Sequence, residues 1–397
     1  MLPSAPASSL PPDGGAAATA LRDKIRSAGL AAGFDQVGFA PAEAPAHGEA
    51  YLAWIGAGMH GEMRYMARED AVRRRLHPAE VMHGARTAIV TLLYYGPYSA
   101  EADREQGARD PMPVIARYAA GRDYHEVFEQ RLDDLAARAG TLAPGACFKR
   151  YVDYGPVLER DLGQRAGLGW IGRNTMLISP KLGSYFMLGE LFTNLDLPPD
   201  DAFEPDHCGS CRACVTACPT DAIKNGRVLD ARLCISYLTI ELRGRIPVGL
   251  RELIGTRVFG CDICQEVCPW NRTAEYPSAA PFGLPAGRAA PPPTMIRWAQ
   301  ELLHLSDAGF RDRYRGTAFA RPGRQGLLRN LAVGLGNAGS GAAVTVLRRM
   351  VNEEPGLVAE HARWALDRLE GGGAQLADGS AQPHNQLVDL RMEEAGE

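Results

Sequence analysis

The chain has no long apolar run. Its longest, around Ala88 to Tyr95, falls far short of the ~20 residues a membrane-spanning helix requires, so no membrane association is expected. Residues Met1 to Ala20 have no Lys or Arg and no continuous apolar core. That excludes a secretory signal or an Arg-rich transit peptide there and predicts a disordered tail. Excess positive charge is also missing: the net charge of -4 argues against a surface that grips nucleic acid everywhere. A local patch stays open, because residues 297–329 hold seven arginines against three acids, either a phosphate-binding patch or a solvated helical face. Outside one region cysteine is nearly absent. Only Cys147 lies apart, and it is expected to be a buried strand residue.

The other eight of nine cysteines fall between Cys208 and Cys268. Cys208, Cys211, Cys214 and Cys218 precede Pro219 with the bacterial ferredoxin spacing C-x2-C-x2-C-x3-C-P, in which three thiolates hold one cluster and the fourth reaches its neighbour. On that pattern Cys208, Cys211, Cys214 and Cys268 hold one [4Fe-4S] cluster, and Cys218, Cys234, Cys261 and Cys264 hold the other. Zinc also accepts four thiolates and is the competing reading. A radical-SAM site needs a third cysteine where Asp221 stands, and c-type haem needs a histidine where Arg212, Val215 and Gln265 stand, so both are excluded. Low-potential clusters and unpaired thiolates belong in a reducing compartment, which points to the cytoplasm.

The full 397-residue chain, 46% hydrophobic and 23% charged, has room for two or three domains. Leu21 to Ala32 has helical spacing and Phe34 to Ala40 reads as a strand. The run Arg73–Arg75 reads as solvent-facing. Thr87 to Tyr95 has the pattern of a buried strand, Glu101 to Pro113 that of a loop before Val114–Tyr118, and Asp123 to Ala139 that of a helix. Cys147 to Val152 alternates as a strand and leads through Gly155-Pro156 to a helix, Val157 to Arg165. Asp153 therefore sits at a strand-to-helix junction, where an open α/β sheet presents ligand-binding groups. Gly167 to Asn174 is glycine-dense, suited either to close approach of a flat ligand or to a tight turn. Ser184 to Asn194 reads as a buried strand. Beyond a Pro-rich linker the periodicity is wholly helical and similar to a HEAT-type repeat. The expected division is a tail (1–20), an α/β domain (21–200), a ferredoxin-like domain (201–275), a linker (276–296), a helical domain (297–370) and a second tail (371–397).

Two clusters show only that single electrons travel, and the large domain in front of them favours an enzyme over a carrier. Arg117-Tyr-Ala-Ala-Gly-Arg-Asp-Tyr-His125, Val152-Asp-Tyr-Gly-Pro-Val-Leu-Glu-Arg160, Ala166-Gly-Leu-Gly-Trp-Ile-Gly-Arg-Asn174, Leu188-Gly-Glu-Leu191, Cys234-Ile-Ser-Tyr-Leu-Thr-Ile-Glu-Leu242 and Cys261-Asp-Ile-Cys-Gln-Glu-Val-Cys-Pro-Trp-Asn271 closely resemble the epoxyqueuosine reductase family. The resemblance, covering about residues 20 to 370, implies a cobalamin-binding α/β domain joined to a two-[4Fe-4S] domain and a HEAT-like C-terminal repeat, with the reductive dehalogenases as fold relatives. It implies reduction of epoxyqueuosine to queuosine at the tRNA wobble position, with electrons from an external donor and the protein acting as a monomer. Asp153 is then the proton donor, its carboxyl kept protonated by burial beside the corrin. Ser236, Cys261, Asp262 and Asn174 are placed against the cobalamin. Asp123-Tyr-His125 begins a D-x-H-x-x-G motif, but Phe128 occupies the glycine position, so base-off cobalamin with no histidine ligand is expected. Arg243 is the RNA-contact candidate, because RNA is read mainly at unpaired bases in loops.

Overall fold

The computed structural model describes residues 14–95, 110–204, 206–224, 227–274, 282 and 291–371. The expected tail beyond residue 371, most of the loop at 101–113 and most of the linker at 276–296 lie outside the described residues. So does the first part of the N-terminal tail. Its remainder is not a tail: helix α1 spans Gly14–Ala31, carried at its start by the alanine-rich run before Leu21.

A four-stranded sheet forms the front lobe: β1 (Gln36–Pro41), β2 (Thr87–Tyr94), β3 (Phe148–Tyr151) and β4 (Phe186–Thr193), in the order β1-β2-β4-β3. Every residue of β2 is buried, because both sheet faces are covered. On one face Ile89 and Leu93 meet Ile25 of α1 and Val127, Leu132 and Leu135 of α2 (Tyr124–Leu142). On the other, Ala88, Val90 and Leu92 meet Leu162 of α3 (Glu159–Arg165). All three pairings are antiparallel, with Tyr94 opposite Phe186 and Tyr151 opposite Glu190. This corrects the sheet rule used for Asp153. Its turn follows the carboxyl end of β3, but neighbouring β4 runs the other way, so no common carboxyl edge exists.

Helix α3 begins at Glu159, later than expected, with Pro156 left in the preceding turn. The arginine run divides: Arg73 and Arg74 pair with Glu80 and Asp70 at the surface, whereas Arg75 is 5% exposed and directed at the Gly155 carbonyl. In the glycine-dense segment, a Cβ on Gly169 would lie 2.1 Å from the Ile178 carbonyl oxygen. The absent side chain there lets Trp170–Ile171 pair with Leu177–Ile178, so this glycine serves the turn rather than a ligand.

The cysteine-bearing segment is built of short pieces, among them α4 (Ile235–Ile240). It joins the front lobe through Val114–Ile115, which pairs in parallel with Arg257–Phe259, and through Asp262, whose carboxylate accepts from the Arg117 amide at 2.7 Å.

The C-terminal region is helical: α5 (Met295–His304), α6 (Asp307–Tyr314), α7 (Gly323–Ala338), α8 (Val344–Glu353) and α9 (Leu357–Gly371). Leu328, Leu331 and Leu335 of α7 share a core with Trp298, Leu347, Val358 and Ala362. Four of the seven arginines counted there are ion-paired. Arg321 grips Glu241, Arg324 grips Glu354, and Arg313 and Arg315 hold Glu301 and Asp312. Arg329 is fully buried, donating to the carbonyls of Leu238, Leu242 and Gly244, each at 2.8 Å.

Candidate active site and metal centres

The eight clustered thiols fall into two electrostatic groups. Burial, then the sulfurs of Cys208, Cys268 and Cys211, push the Cys214 thiol up, and Cys268 likewise feels Cys208 and Cys211. Cys234 feels Cys218, Cys261 feels Cys234, and Cys264 feels Cys234 and Cys261. Cys214 also acts on Cys264, so the groups adjoin. Burial pushes Cys261 up to about 11, so the thiols need a cation to ionise at neutral pH. Main-chain N–H groups are already aimed at the sulfurs: those of Ser236 and Tyr237 at Cys234, Ile263 at Cys261, Trp270 and Asn271 at Cys268. Such donors tune iron–sulfur potentials. Among the described residues no three His, Cys, Asp or Glu side chains converge tightly enough for a single ion. A cavity of about 350 Å³ is lined by Cys208, Cys211, Cys214 and Cys268 together with Asn174 and Trp270. The four-sulfur donor set and this space fit a cubane cluster.

Asp153 lies on the turn after β3 with φ at +56°, a left-handed conformation that aspartate tolerates better than most residues. Its carboxylate accepts from the Tyr124 hydroxyl at 2.6 Å, and its amide donates to Glu159 Oε1 at 2.6 Å. The side chain is 64% exposed, so burial at this point is not supplied by the protein itself. Two further acids stand behind it, Glu190 buried and Glu159 partly exposed. Glu190 is 0% exposed on β4, and its carboxyl meets that of Glu159. Burial, then the charge of Asp153, pushes Glu159 up to about 8. Burial, then Glu159 and Asp153, pushes Glu190 well up.

Asp153 borders a concave surface. Tyr118, Tyr124 and Arg160 keep accessible surface, yet desolvation is the largest influence on each, as expected for concave walls. After burial, the charges of Asp153, Asp262 and Glu241 all push the Tyr118 phenol up, so the Asp153 turn and the cysteine segment border one space. Asp262 is buried and pushed up to about 6, chiefly by that burial. These aromatic walls and carboxyls suit a large, flat, partly polar group such as a corrin.

Ser236 is on α4, two residues past Cys234, and Cys261 adjoins Asp262. Asn174 lies apart from Asp153: it lines the first thiol cavity and its amide approaches the Cys264 carbonyl at 3.4 Å. Arg243 is exposed at the rim, donating to the Arg321 carbonyl at 2.7 Å. His125 is bonded to Asp123 at 2.7 Å and stacked on Tyr124 and Tyr154, and its Nε2 lies 3.8 Å from the Asp153 carboxylate. Cys147 is exposed rather than buried, because it precedes the edge strand β3 instead of lying within it. The reading from sequence overlooked Glu159, Glu190 and Arg75. A signal existed for Glu190, an acid inside an otherwise buried apolar strand.

Comparison with known proteins agrees with this geometry. The family described as 4Fe-4S double cluster binding domain matches residues 207–271, and that described as Epoxyqueuosine reductase QueG, DUF1730 matches residues 75–154. Cysteine groups of this kind, set beside an acid-lined hollow in an α/β lobe, define an iron–sulfur oxidoreductase. The epoxyqueuosine reductase of Pseudomonas aeruginosa is 44% identical over 353 residues, spanning 88% of this chain and 94% of the relative. The chain belongs to the epoxyqueuosine reductase family. A crystal structure of epoxyqueuosine reductase with an epoxyqueuosine-modified tRNA-Tyr stem loop superposes with a TM-score of 0.79 at 28% identity, covering 89% of this chain and 91% of that one. A Bacillus subtilis epoxyqueuosine reductase, solved with its aspartate catalytic loop swung out of the active site, gives 0.78 at 26% identity and the same coverage.

Proposed function

We propose that this chain reduces epoxyqueuosine to queuosine at the wobble position of a tRNA anticodon, using base-off cobalamin and two [4Fe-4S] clusters. The observation that carries the reading is the shared hollow: Asp153 on one wall, Asp262 and the thiol groups on the other. A reduced corrinoid bound there would supply the electron pair for deoxygenation, and the clusters would be its source of single electrons.

The protein's own part is proton delivery, positioning and water exclusion. Removing the epoxide oxygen needs a proton, and the Asp153 carboxyl, oriented by the Tyr124 hydroxyl, is placed to give it. A corrin against the turn would cover the exposed Asp153 side chain and favour its protonated form. Ser236, Cys261 and Asp262 would hold the corrin, with Asn174 a more distant contributor on the cluster side. Cys208, Cys211, Cys214 and Cys268 would ligate one cluster, and Cys218, Cys234, Cys261 and Cys264 the other. Arg243 at the rim would meet the anticodon-loop backbone. The helical region resembles a HEAT-like array beside that rim. No helix among the described residues is long and apolar enough to cross a membrane, which suits a cytoplasmic monomer reduced by an external one-electron donor.

Anaerobically reconstituted protein with cobalamin and reductant should convert epoxyqueuosine in tRNA to queuosine, read by nucleoside mass spectrometry. Asp153→Ala should abolish turnover while iron content and corrinoid binding persist. Retained turnover in that variant would remove Asp153 from the mechanism, and failure of the parent protein to convert tRNA would sink the assignment.

A further inference from the structure

Two carboxyls in contact inside a protein cannot both be ionised without a compensating cation. Glu190 sits in the middle of β4, between Val90 and Tyr151, on the face that α3 covers. Its two oxygens meet no hydrogen-bond donor of ordinary geometry among the described residues, and the neighbour they touch is the Glu159 carboxyl. An unpaired buried carboxylate costs too much to persist, so the contact requires a proton between the two acids. Glu159 has a second engagement, because its Oε1 accepts the Asp153 amide at 2.6 Å. That amide belongs to a non-glycine residue at φ +56°, a conformation held against its intrinsic preference. The interior of the sheet is thus wired to the turn that carries Asp153.

We propose that Glu159 and Glu190 are a positioning pair for Asp153: their carboxyls share one proton, and the free oxygen of Glu159 clamps the Asp153 amide, holding the turn that presents the Asp153 carboxyl. This rests on the proton-donor reading of Asp153 given above. The charged or titratable groups facing the pair are Asp153 on the turn, Tyr124 on α2, Arg160 on α3 and Arg75 on the helix Glu69–Leu76. The two arginines favour ionisation of Glu159, while Asp153 and burial oppose it. Loss of the shared proton leaves two carboxylates in contact, and their repulsion withdraws Glu159 from the amide. The clamp is therefore closed at neutral pH and opens only in alkaline solution, where the last proton leaves the pair, because burial and the charge of Asp153 hold both acids well above the ordinary carboxyl range.

The test uses the full chain. Without cobalamin, infrared spectroscopy at neutral pH should show a protonated-carboxyl band that Glu190→Gln removes. Hydrogen exchange of residues 153–155, followed by mass spectrometry and corrected for intrinsic rates, should accelerate as the solution is made alkaline in the parent but not in Glu190→Gln, whose amide replaces the proton with a permanent donor. Glu159→Ala should speed that exchange about 10-fold at neutral pH and lower kcat about 10- to 100-fold with KM for tRNA unchanged. Glu159→Gln, which keeps an acceptor oxygen, should recover most of both and carries the test if the alanine variant does not fold. A carboxyl band that survives Glu190→Gln, or exchange in the Glu159 variants that matches the parent, overturns the proposal. If Asp153→Ala keeps turnover while the infrared and exchange results hold, the clamp stands and only the proton-donor reading fails.

Discussion

Replacing Arg329 by Met should destabilise the protein by about 3 kcal/mol. The guanidinium is fully buried and closes the carboxyl end of α4, donating to Leu238, Leu242 and Gly244 at 2.8 Å each. Three hydrogen bonds from a charged donor contribute roughly 1.5–3 kcal/mol each, and their loss leaves one buried and two partly buried carbonyls without that partner. Against this, removing a buried cation recovers a desolvation cost of several kcal/mol. Burial has already lowered the Arg329 pKa to about 10, so that cost is present here. The difference leaves about 3 kcal/mol, since methionine fills the space of the stem but makes none of the bonds. Urea denaturation followed by far-UV circular dichroism measures the loss. Amide exchange in residues 238–246 should rise in the same variant while β2 stays protected. Arg329→Lys, which keeps the charge but not the fork, should fall about midway. A methionine variant within about 0.5 kcal/mol of the parent would show that helix packing alone holds α7 to the cysteine segment, and the reasoning would be wrong.

Three further outcomes follow from the geometry. Cys214→Ser should lower bound iron from about eight to about four atoms per chain after anaerobic reconstitution, by iron and sulfide analysis, and unchanged iron would contradict the two-group assignment. His361 accepts from the Ile246 amide and is pushed down to about 4, first by burial and also by Arg251 and Arg329. Because the unfolded imidazole takes a proton near pH 6.5 and the folded one does not, stability should fall by roughly 2–3 kcal/mol as pH drops from 6.5 to 4, a slope that His361→Gln should flatten. Tyr124→Phe removes the 2.6 Å bond to Asp153 and should lower kcat about 10-fold with little change in KM, and equal kinetics would deny Tyr124 an orienting role.

The metal centres were the most legible part of the chain, because a cluster-binding loop is local and its spacing is dictated by the geometry of iron and sulfur. The strand Thr87–Tyr94 was legible for a related reason: a run buried on both faces has to be apolar throughout. Strand direction was not, since antiparallel and parallel strands with both faces covered have the same composition. Arg75 and Glu190 escaped because their roles depend on partners distant in sequence, and a charged residue ordinarily belongs in water. The glycines around Trp170 were ambiguous until Ile178 was seen to occupy the space a side chain would need.

The pairing of Val114–Ile115 with Arg257–Phe259 bears on how the molecule is assembled. Arg117 and Asp262, which fasten the same seam, are 145 positions apart. During synthesis the front sheet emerges long before its partner strand, so its hollow cannot close until the cysteines have left the ribosome. Iron loading and closure of the hollow thereby become late, coupled events, and cells short of iron should accumulate a chain whose sheet is formed but whose seam is open to proteolysis.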